Sequence, residues 1–441
     1  MRKNTFPKNA AIFLGLVIYL CAVVWRIYYI FVVHLPLNFI YSDMQGYFDG
    51  AKNIFDPNYT PGLGDTVLPQ GTAFFFGLLR LADPTWHLAA VVQCLLSALV
   101  PLFLAAIADE LHGRRAALVT LVLASLYFPF VDYSAYILSE NPCLFFMTFG
   151  TWLLVCGLKS QRKWAVFIWA LLAGLSWGVA AALKMAALSA AIFLGAGFLF
   201  IAIRNSWRRP VFILIGALIG LSLIVVPISI RSTRLGEGRP CIIAHQFGYN
   251  FLLGHYGDLG LTTWKDDPHG LVFAFGSPSA GEREYRNTLE IPFGPYDTWE
   301  NCAYAWGWVR QHPFHALRLS LEHDFDLFTG MTLWPTGCSG TPQRMWIRFS
   351  QNLYWIFILL PACFYVWLKR RSLSRFQIHS VGDLIAVLPV AALLVVVFFA
   401  TGEPRYRIPF DGFVILLAAR FYTTETFLET IGRKKSVPVN V

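Results

Sequence analysis

The long apolar stretches of this sequence constrain its fold more than any other feature. Several of them run without a charged side chain for close to the ~20 residues that an α-helix needs to cross the hydrocarbon layer of a membrane. These stretches are 88–108, 116–131, 164–183, 186–203, 211–230, 351–368 and 384–401. A chain that is 56% hydrophobic and only 14% charged cannot hide so much apolar surface inside a water-soluble domain. The sequence therefore predicts an all-α polytopic membrane protein.

The formal net charge of +9 would also suit a nucleic-acid-binding protein, so the positions of the basic residues matter. They cluster near both chain ends and in the short turns between alternate apolar stretches, at 2–8, 114–115, 159–163, 204–209, 369–375 and 433–435. Basic residues concentrate in this way on the cytoplasmic side of membrane proteins. We therefore expect a multi-pass protein of a bacterial inner (plasma) membrane with both termini in the cytoplasm, and no nucleic-acid partner.

This topology predicts about ten transmembrane helices. Their expected positions are 10–33, 86–108, 115–131, 137–158, 164–183, 187–203, 210–230, 350–368, 382–401 and 407–424. Two large extracytoplasmic loops, 34–85 and 231–349, then lie opposite the basic turns. We expect three regions: a catalytic membrane module at 1–230, an outer loop region at 231–349, and a C-terminal membrane region with a basic tail at 350–441.

Both outer loops are expected to carry short helices at the membrane interface. In the first loop, 43–55 is typical of a short helix, and 68–81 is apolar but too short to span easily. In the second loop, 296–328 is helical in pattern, with Pro313 well placed to begin a helix. The apolar residues that follow recur at helical spacing at Phe314, Leu317, Leu321, Phe325 and Phe328. This spacing predicts an amphipathic helix that lies on the membrane or covers a cavity.

The cysteines and acidic pairs do not form a metal-binding motif in the sequence. The eight cysteines show no CxxC pair or zinc-like spacing, although one disulfide among Cys241, Cys302 and Cys338 is possible. The Asp324 and Asp326 pair resembles a DxD motif, but its place on the amphipathic helix favours a solvated face. We expect no metal.

Four charged side chains fall within the apolar spans, where each costs about 2.5–3.5 kcal/mol on insertion scales. They are Arg26, Glu140, Lys184 and Asp411, and the predicted topology puts all four toward the outer ends of their helices. Individually, the two cations could extend to headgroups, Glu140 could cap a helix, and Asp411 could pair with Arg407. Their location in one leaflet favours a shared polar cavity.

Three further charged residues lie at the predicted mouth of this cavity. Asp43 begins the short helix of the first loop, where it could act as a general base or simply cap the helix. Arg405 and Arg407 precede the last span, where two guanidinium groups could hold a phosphate or anchor to lipid headgroups.

These residues and the segments around them resemble the GT-C glycosyltransferases of the protein O-mannosyltransferase and aminoarabinose-transferase type. Apart from Arg26 late in the first helix, the segments that carry the resemblance are 42–51 (SDMQGYFDGA), 68–79 (LPQGTAFFFGLL), 127–140 (YFPFVDYSAYILSE), 174–185 (GLSWGVAAALKM), 247–260, 308–325 and 405–419. The resemblance implies a GT-C fold, a polyprenyl-phosphate sugar donor, an inverting transfer and a catalytic Asp at position 43. Two departures are Met44, where many members have a second acid, and Gln70, where they often have a second Pro or a Lys.

The resulting hypothesis is that Asp43 removes a proton from an acceptor hydroxyl while the lipid phosphate leaves from the opposite face. Lys184 and Arg405 would neutralise the phosphate, with Arg407 as a further candidate. Glu140 would orient Lys184 or a sugar hydroxyl. The remaining expected substrate contacts are Arg26, Tyr47, Tyr136 and Tyr406.

The expected partners are the polyprenyl-phosphate sugar donor, an acceptor that is a lipid, glycan or protein, and the surrounding membrane lipids. No cofactor is expected apart from the donor substrate itself. The alternatives are a transporter or flippase of lipid-linked sugars or another anion, since buried charges also mark transport pathways, and a scaffold without chemistry.

Overall fold

The computed structural model describes residues 8–40, 43–204, 209–255, 272–275, 288–291, 293–330, 342–375 and 381–424. The predicted basic tail at 433–435, the segment 256–260 of one of the resemblance motifs, and Cys338 lie outside the described residues. Cys241 and Cys302 are free thiols.

Helices make up most of the described chain. The α-helices are α1 Lys8–Tyr28, α2 Asp43–Asn53, α3 Gln70–Ala82, α4 His87–His112, α5 Arg114–Leu126, α6 Phe128–Asp132, α7 Glu140–Lys159, α8 Lys163–Leu183, α9 Ala186–Arg204, α10 Arg209–Leu235, α11 Gln246–Gly254, α12 Thr298–Gln311, α13 Pro313–Thr329, α14 Pro342–Tyr354, α15 Leu360–Ser374, α16 Val381–Phe399 and α17 Asp411–Tyr422. Short 3-10 helices form at Pro36–Phe39, Leu63–Thr66, Tyr133–Ala135 and Pro404–Phe410, and π-helical turns form at Tyr29–Val33 and Trp355–Leu359. The second outer loop adds two short strands that were not predicted, β1 Val272–Phe275 and β2 Thr288–Ile291, which pair in parallel.

Among the described residues, eight helical segments are long and apolar enough to cross a membrane, and nine if one bent pair is counted. They are Ile12–Val33, His87–His112, Glu140–Lys159, Lys163–Leu183, Ala186–Arg204, Arg209–Leu235, Arg348–Ser374 and Val381–Phe399, with Arg114–Leu126 and Phe128–Ala135 as the bent pair. The polytopic helical fold is therefore confirmed. The seventh predicted span continues to Leu235, beyond the expected boundary at 230.

Two of the ten predicted spans differ from a simple crossing helix. The predicted span 115–131 bends by 60° between α5 and α6, where Pro129 lies in the first turn of α6 and cannot donate a backbone hydrogen bond. The last predicted span, 407–424, begins as a 3-10 helix and continues as the 12-residue α17. Pro409 lies within the 3-10 helix, and the short α17 is not long enough by itself to cross the membrane.

Contacts between helix termini distinguish the two ends of the bundle. Lys159 at the end of α7 lies 3.6 Å from Glu110 at the end of α4. Asp383 at the start of α16 lies 3.4 Å from Arg420 near the end of α17. The start of α7 and the end of α8 meet at the opposite end, where Lys184 contacts Glu140. The short basic turns and the charged residues of the predicted cavity thus lie at different ends of the bundle.

Small residues allow α8 to approach its neighbours closely at the end that carries the site. A Cβ atom on Gly71 of α3 would clash with the backbone of Ala182 on α8. Thr72 donates a hydrogen bond to the carbonyl oxygen of Leu183 at 3.1 Å. Membrane helices commonly use small residues and side-chain hydroxyls for such contacts. The contact fixes the first outer loop against the end of α8, directly before Lys184.

The predicted helix 296–328 forms as two helices, α12 and α13, which are separated at Pro313. The predicted apolar stripe of α13 is exposed at Phe314, Leu317, Leu321 and Phe325. The opposite side of α13 is buried at Ala316, Leu319, Ser320, His323 and Leu327. This helix is therefore amphipathic, as predicted, with one side packed on the protein and an apolar side free to contact lipid.

Candidate active site

A pocket opens where α2, α7 and the α8–α9 junction meet α16 and the 3-10 helix before α17. Its cavity volume is about 70 Å³. The predicted site residues that line it are Asp43, Tyr47, Glu140, Lys184, Arg405 and Tyr406. The pocket also has an apolar wall formed by residues of α16, including Leu393, Val396 and Val397. The structure thus brings together six of the nine residues predicted from the sequence.

The first charged pair in the pocket joins α7 to the end of α8. Lys184, the residue that follows the last turn of α8, donates a hydrogen bond from Nζ to Oε1 of Glu140 at 2.6 Å. Glu140 begins α7, where the positive end of the helix dipole stabilises a carboxylate. The Glu140 side chain is 2% exposed and that of Lys184 is 13% exposed. Glu140 and Lys184 are therefore in direct contact, and the orienting role of Glu140 stays a prediction.

The second charged group is centred on Arg405. Its Nη2 donates a hydrogen bond to Oδ2 of Asp43 at 2.6 Å, and its Nε lies 2.7 Å from Oε1 of Glu403 without hydrogen-bond alignment. Burial acts to lower the pKa of Arg405, but the two carboxylates outweigh it and hold the pKa well above its usual value. Arg405 therefore stays charged between the two acids.

Glu403 is a site residue that the sequence analysis did not identify. It is almost fully buried, and burial raises the pKa of its carboxyl against the lowering effect of Arg405. The sequence signal for Glu403 is its position two residues before Arg405. Its extended backbone leads directly into the 3-10 helix that carries Arg405. Two polar residues of α11, Gln246 and Asn250, also line the pocket and were not identified.

The charged residues that line the pocket are two carboxylates, Asp43 and Glu140, and two cations, Lys184 and Arg405, and the buried Glu403 contacts Arg405 from behind. Each cation already contacts at least one carboxylate. Any anion that bound these cations would compete with the carboxylates, of which Asp43 is the most accessible, with its side chain 30% exposed.

Two tyrosines complete the polar wall of the pocket. Lys184 Nζ lies 4.8 Å from the ring centroid of Tyr406, and the Arg405 guanidinium lies 5.6 Å from it. Tyr47 lies one helical turn after Asp43 on α2, is buried, and hydrogen-bonds to Ser139. Burial, with the nearby Asp43 and Glu140 carboxylates, raises the pKa of Tyr47, so its phenol stays protonated.

Arg26 does not join this pocket, contrary to the predicted convergence. It lies in α1 and donates hydrogen bonds to Oγ of Ser97 at 2.9 Å and to the carbonyl oxygen of Ala22 at 3.0 Å. Its side chain is fully buried where α1 packs on α4 and α5, and it does not line the pocket. The face of α1 that carries Arg26 is turned to α4 and α5 instead of to the pocket.

Tyr136 also lies outside the pocket. Its hydroxyl donates to Oδ1 of Asp132 at 3.3 Å, and its ring packs edge-on against His34 at 4.5 Å. Tyr29 donates to the same Asp132 oxygen at 2.6 Å. Tyr136 thus belongs to a buried polar cluster that ties the end of α1 to the α6–α7 connection.

Arg407 lies beneath the pocket rather than in it. Its guanidinium lies 3.3 Å from Oδ2 of Asp411, donates to Oε1 of Gln351 at 2.7 Å, and stacks 4.0 Å from the ring centroid of Tyr354. Tyr127 and Tyr354 both donate hydrogen bonds to Asp411. The structure shows the local pairing of Arg407 with Asp411, which was the alternative to a place for Asp411 in the shared polar cavity.

Replacing Arg407 with methionine is expected to lower the free energy of unfolding by about 3–5 kcal/mol, because it leaves Asp411 as a buried, uncompensated charge. The double change Arg407→Met with Asp411→Leu should recover most of this loss. Denaturant unfolding in detergent would measure both, with Arg114→Met, an exposed arginine, as the matched control. A single variant as stable as the wild type would contradict a structural role for the pair.

No group of three or more His, Cys, Asp or Glu side chains within the described ranges is arranged to hold a metal ion. The pocket carboxylates instead face cationic side chains. A carboxylate beside cations can accept a proton from a bound hydroxyl group, and the cations can neutralise an anion.

Residues 71–230 match the model of the dolichyl-phosphate-mannose-protein mannosyltransferase family. This segment contains α3 to most of α10, and with them Glu140 and Lys184 of the pocket. No curated protein matches the sequence significantly.

Two solved structures of an archaeal oligosaccharyltransferase from Archaeoglobus fulgidus have a similar fold. The structure of AglB in complex with an inhibitory peptide and a dolichol-phosphate matches with a TM-score of 0.52 and 12% identity, over 96% of this chain and 52% of that chain. The structure of the enzyme with Zn and sulfate matches with a TM-score of 0.51 and 12% identity, over 94% and 49% of the two chains. This chain thus spans about half the length of the structures it matches.

Together, the family match and the shared fold confirm the resemblance to the GT-C glycosyltransferases. The low identity limits the structural comparison to the fold. The matched family is named for transfer of mannose from dolichyl phosphate to protein.

Proposed function

We propose that this protein is an inverting glycosyltransferase that moves a single sugar from a polyprenyl-phosphate donor to an acceptor hydroxyl on the extracytoplasmic face of the membrane. The observation that carries this proposal is the pocket in which the Asp43 carboxylate lies beside two cations at the ends of membrane helices. The name of the matched family and the dolichol-phosphate bound to the structural neighbour support a lipid-phosphate substrate.

Asp43 is the proposed general base. The acceptor oxygen forms a bond to the anomeric carbon as the bond from that carbon to the phosphate oxygen breaks, and the acceptor proton passes to Asp43. Attack from the face opposite the leaving group inverts the configuration. Positioned general bases contribute about 10²–10⁴-fold to such reactions.

Lys184 and Arg405 are the proposed cations for the leaving lipid phosphate. Cations that are already oriented in a water-poor site stabilise developing negative charge without reorganisation. When the phosphate binds to Arg405, it competes with Asp43 for the guanidinium, and the released carboxylate is then free to accept a proton. The resting ion pair between Arg405 and Asp43 therefore couples donor binding to activation of the base.

The apolar side of the pocket is the proposed path for the prenyl chain. Leu393, Val396 and Val397 on α16 and Ala186 at the start of α9 line this side. Because α9 and α16 pack together along membrane-spanning segments, a lipid tail that leaves the pocket here enters the hydrocarbon layer directly.

Transfer should be tested with the purified protein in lipid nanodiscs and a polyprenyl-phosphate sugar radiolabelled in the sugar. We expect donor-dependent release of free lipid phosphate, with an acceptor or water taking the sugar in the inverted configuration. A transporter or flippase would move the labelled lipid without releasing lipid phosphate, and a scaffold would do neither. Intact donor after prolonged incubation with envelope extract would overturn the proposal.

A further inference from the structure

A second pocket lies beside the first, on the outer side of α2. Its cavity volume is about 240 Å³, larger than the cavity of about 70 Å³ in the first pocket. Its walls are α2, the loop after it, the 3-10 helix Leu63–Thr66, the start of α3, and Arg231 of α10. Tyr47 and Pro69 line both pockets. The two spaces are therefore neighbours that share one wall.

Specific contacts hold the walls of this second pocket in place. Asp65 accepts hydrogen bonds from the Tyr59 hydroxyl at 2.8 Å and from the Gly62 backbone at 2.7 Å. Gln70, which is almost fully buried, hydrogen-bonds to Ser232 at 3.2 Å and accepts from Arg231. The loop is thus tied both to itself and to α10, so the pocket is a formed part of the outer surface.

The charge of this pocket selects against anionic ligands. Its lining contains Asp49, Asp56 and Asp65 but only one cation, Arg231. A phosphorylated or carboxylated group entering here would meet an excess of negative charge. The proposed phosphate site is therefore the first pocket, which both Lys184 and Arg405 line.

The polar groups suit a sugar ring instead. Asp49, Asn53 and Asp56 present carboxylate and amide oxygens that accept hydrogen bonds from hydroxyl groups, and Asn53 also donates. Tyr59 offers an aromatic ring at the same wall. A neutral, polyhydroxylated ligand satisfies several such groups at once, which a single Ser or Thr hydroxyl of a peptide cannot do.

We infer that this second pocket is the acceptor subsite, and that it binds a neutral sugar ring of a glycan acceptor. The inference rests on the proposed glycosyl transfer. Asp43, Tyr47 and the residues that line the second pocket lie on successive turns of α2. An acceptor hydroxyl that reaches past Tyr47 therefore arrives beside the carboxylate of Asp43.

Two glycines provide a matched test of this subsite. Gly64 lines the pocket and Gly62 does not, and a Cβ atom on either would meet no other atom within 4 Å. Neither glycine has a positive φ angle, the backbone conformation that residues with a side chain rarely adopt. Gly64→Phe should therefore fill the pocket with little effect on the fold, and Gly62→Phe adds the same ring outside it.

Binding should be measured by saturation-transfer difference NMR on the full-length protein in nanodiscs. The probes are methyl glycosides of mannose, glucose, galactose and N-acetylglucosamine, and a serine-containing hexapeptide amide. We expect at least one glycoside to receive saturation on its ring protons from the wild type and from Gly62→Phe, and to lose it with Gly64→Phe. If Gly64→Phe does not fold, Asn53→Leu removes an amide that would hydrogen-bond the sugar and should weaken binding, with the exposed Asn58→Leu as its control.

Absence of glycoside binding would overturn the inference, as would binding that Gly64→Phe leaves unchanged. Binding of the peptide alone at this pocket would replace the glycan acceptor with a protein one. Because these measurements need no catalysis, they are independent of lipid phosphate release. A wild-type protein that binds glycosides here but never cleaves donor would contradict the proposed function and leave the sugar site in place.

Discussion

Replacing Asp43 with asparagine is expected to lower the rate of sugar transfer by about 10²–10⁴-fold, the usual contribution of a positioned general base. Asparagine has the same shape and caps a helix about as well as aspartate, so the change removes the base without removing a cap. Arg405 keeps its contact with Glu403. We therefore expect the variant to fold normally and to bind donor at least as well as the wild type, because one carboxylate that competes with the phosphate is lost.

The rate should be measured as release of lipid phosphate in a single turnover with saturating donor. Asp109→Asn is the matched control, since Asp109 is exposed near the end of α4, away from the pocket. Asp43→Glu should retain part of the activity because it keeps the carboxylate. Full activity of Asp43→Asn, or an equal loss in Asp109→Asn, would exclude Asp43 as the base.

The helical architecture and the end of the bundle that carries the site could be predicted from the sequence. Apolar length identifies the spans, and the basic turns orient them, so Glu140 and Lys184 could be assigned to one end before any contact was known. The length criterion is weaker for the last predicted span, because a 3-10 helix with Pro409 takes up its first turns and leaves only the 12-residue α17.

The direction in which each buried charge points could not be predicted. The helix that carries Arg26 presents it to Ser97 on α4 rather than to the pocket. Arg407 lies only two residues after Arg405, and this spacing in a 3-10 helix turns it away to Asp411. Depth follows from position in the sequence, whereas the facing neighbour depends on how the helices pack.

The ion pairs of the pocket and the second pocket also depend on tertiary contacts. Asp43 and Arg405 are 362 residues apart in the chain, so no local pattern indicates that they meet. Arg231 joins the second pocket from α10, far in sequence from the first outer loop that supplies most of its lining. Each of these segments carries only a weak sequence signal by itself. They form a site only where the packed helices bring them together.

Replacing Lys184 with methionine is expected to lower the kcat/KM for the donor by about 10²–10³-fold, the cost of removing one preorganised group from a developing charge. The variant should also be less stable, because Glu140 is then left buried without its cation. Lys163→Met is the matched control, since Lys163 is an exposed lysine at the other end of the same helix.

The second change Glu140→Gln separates the two effects of losing Lys184. In Lys184→Met with Glu140→Gln, the uncompensated carboxylate is gone, so thermal unfolding in detergent should return toward the wild-type temperature. Donor use should stay low, because the double variant still has no cation at this side of the phosphate. If stability and donor kinetics recover together, Lys184 acts only by neutralising Glu140. If stability alone recovers, Lys184 acts on the substrate, and Arg405 is left as the single remaining cation of the pocket.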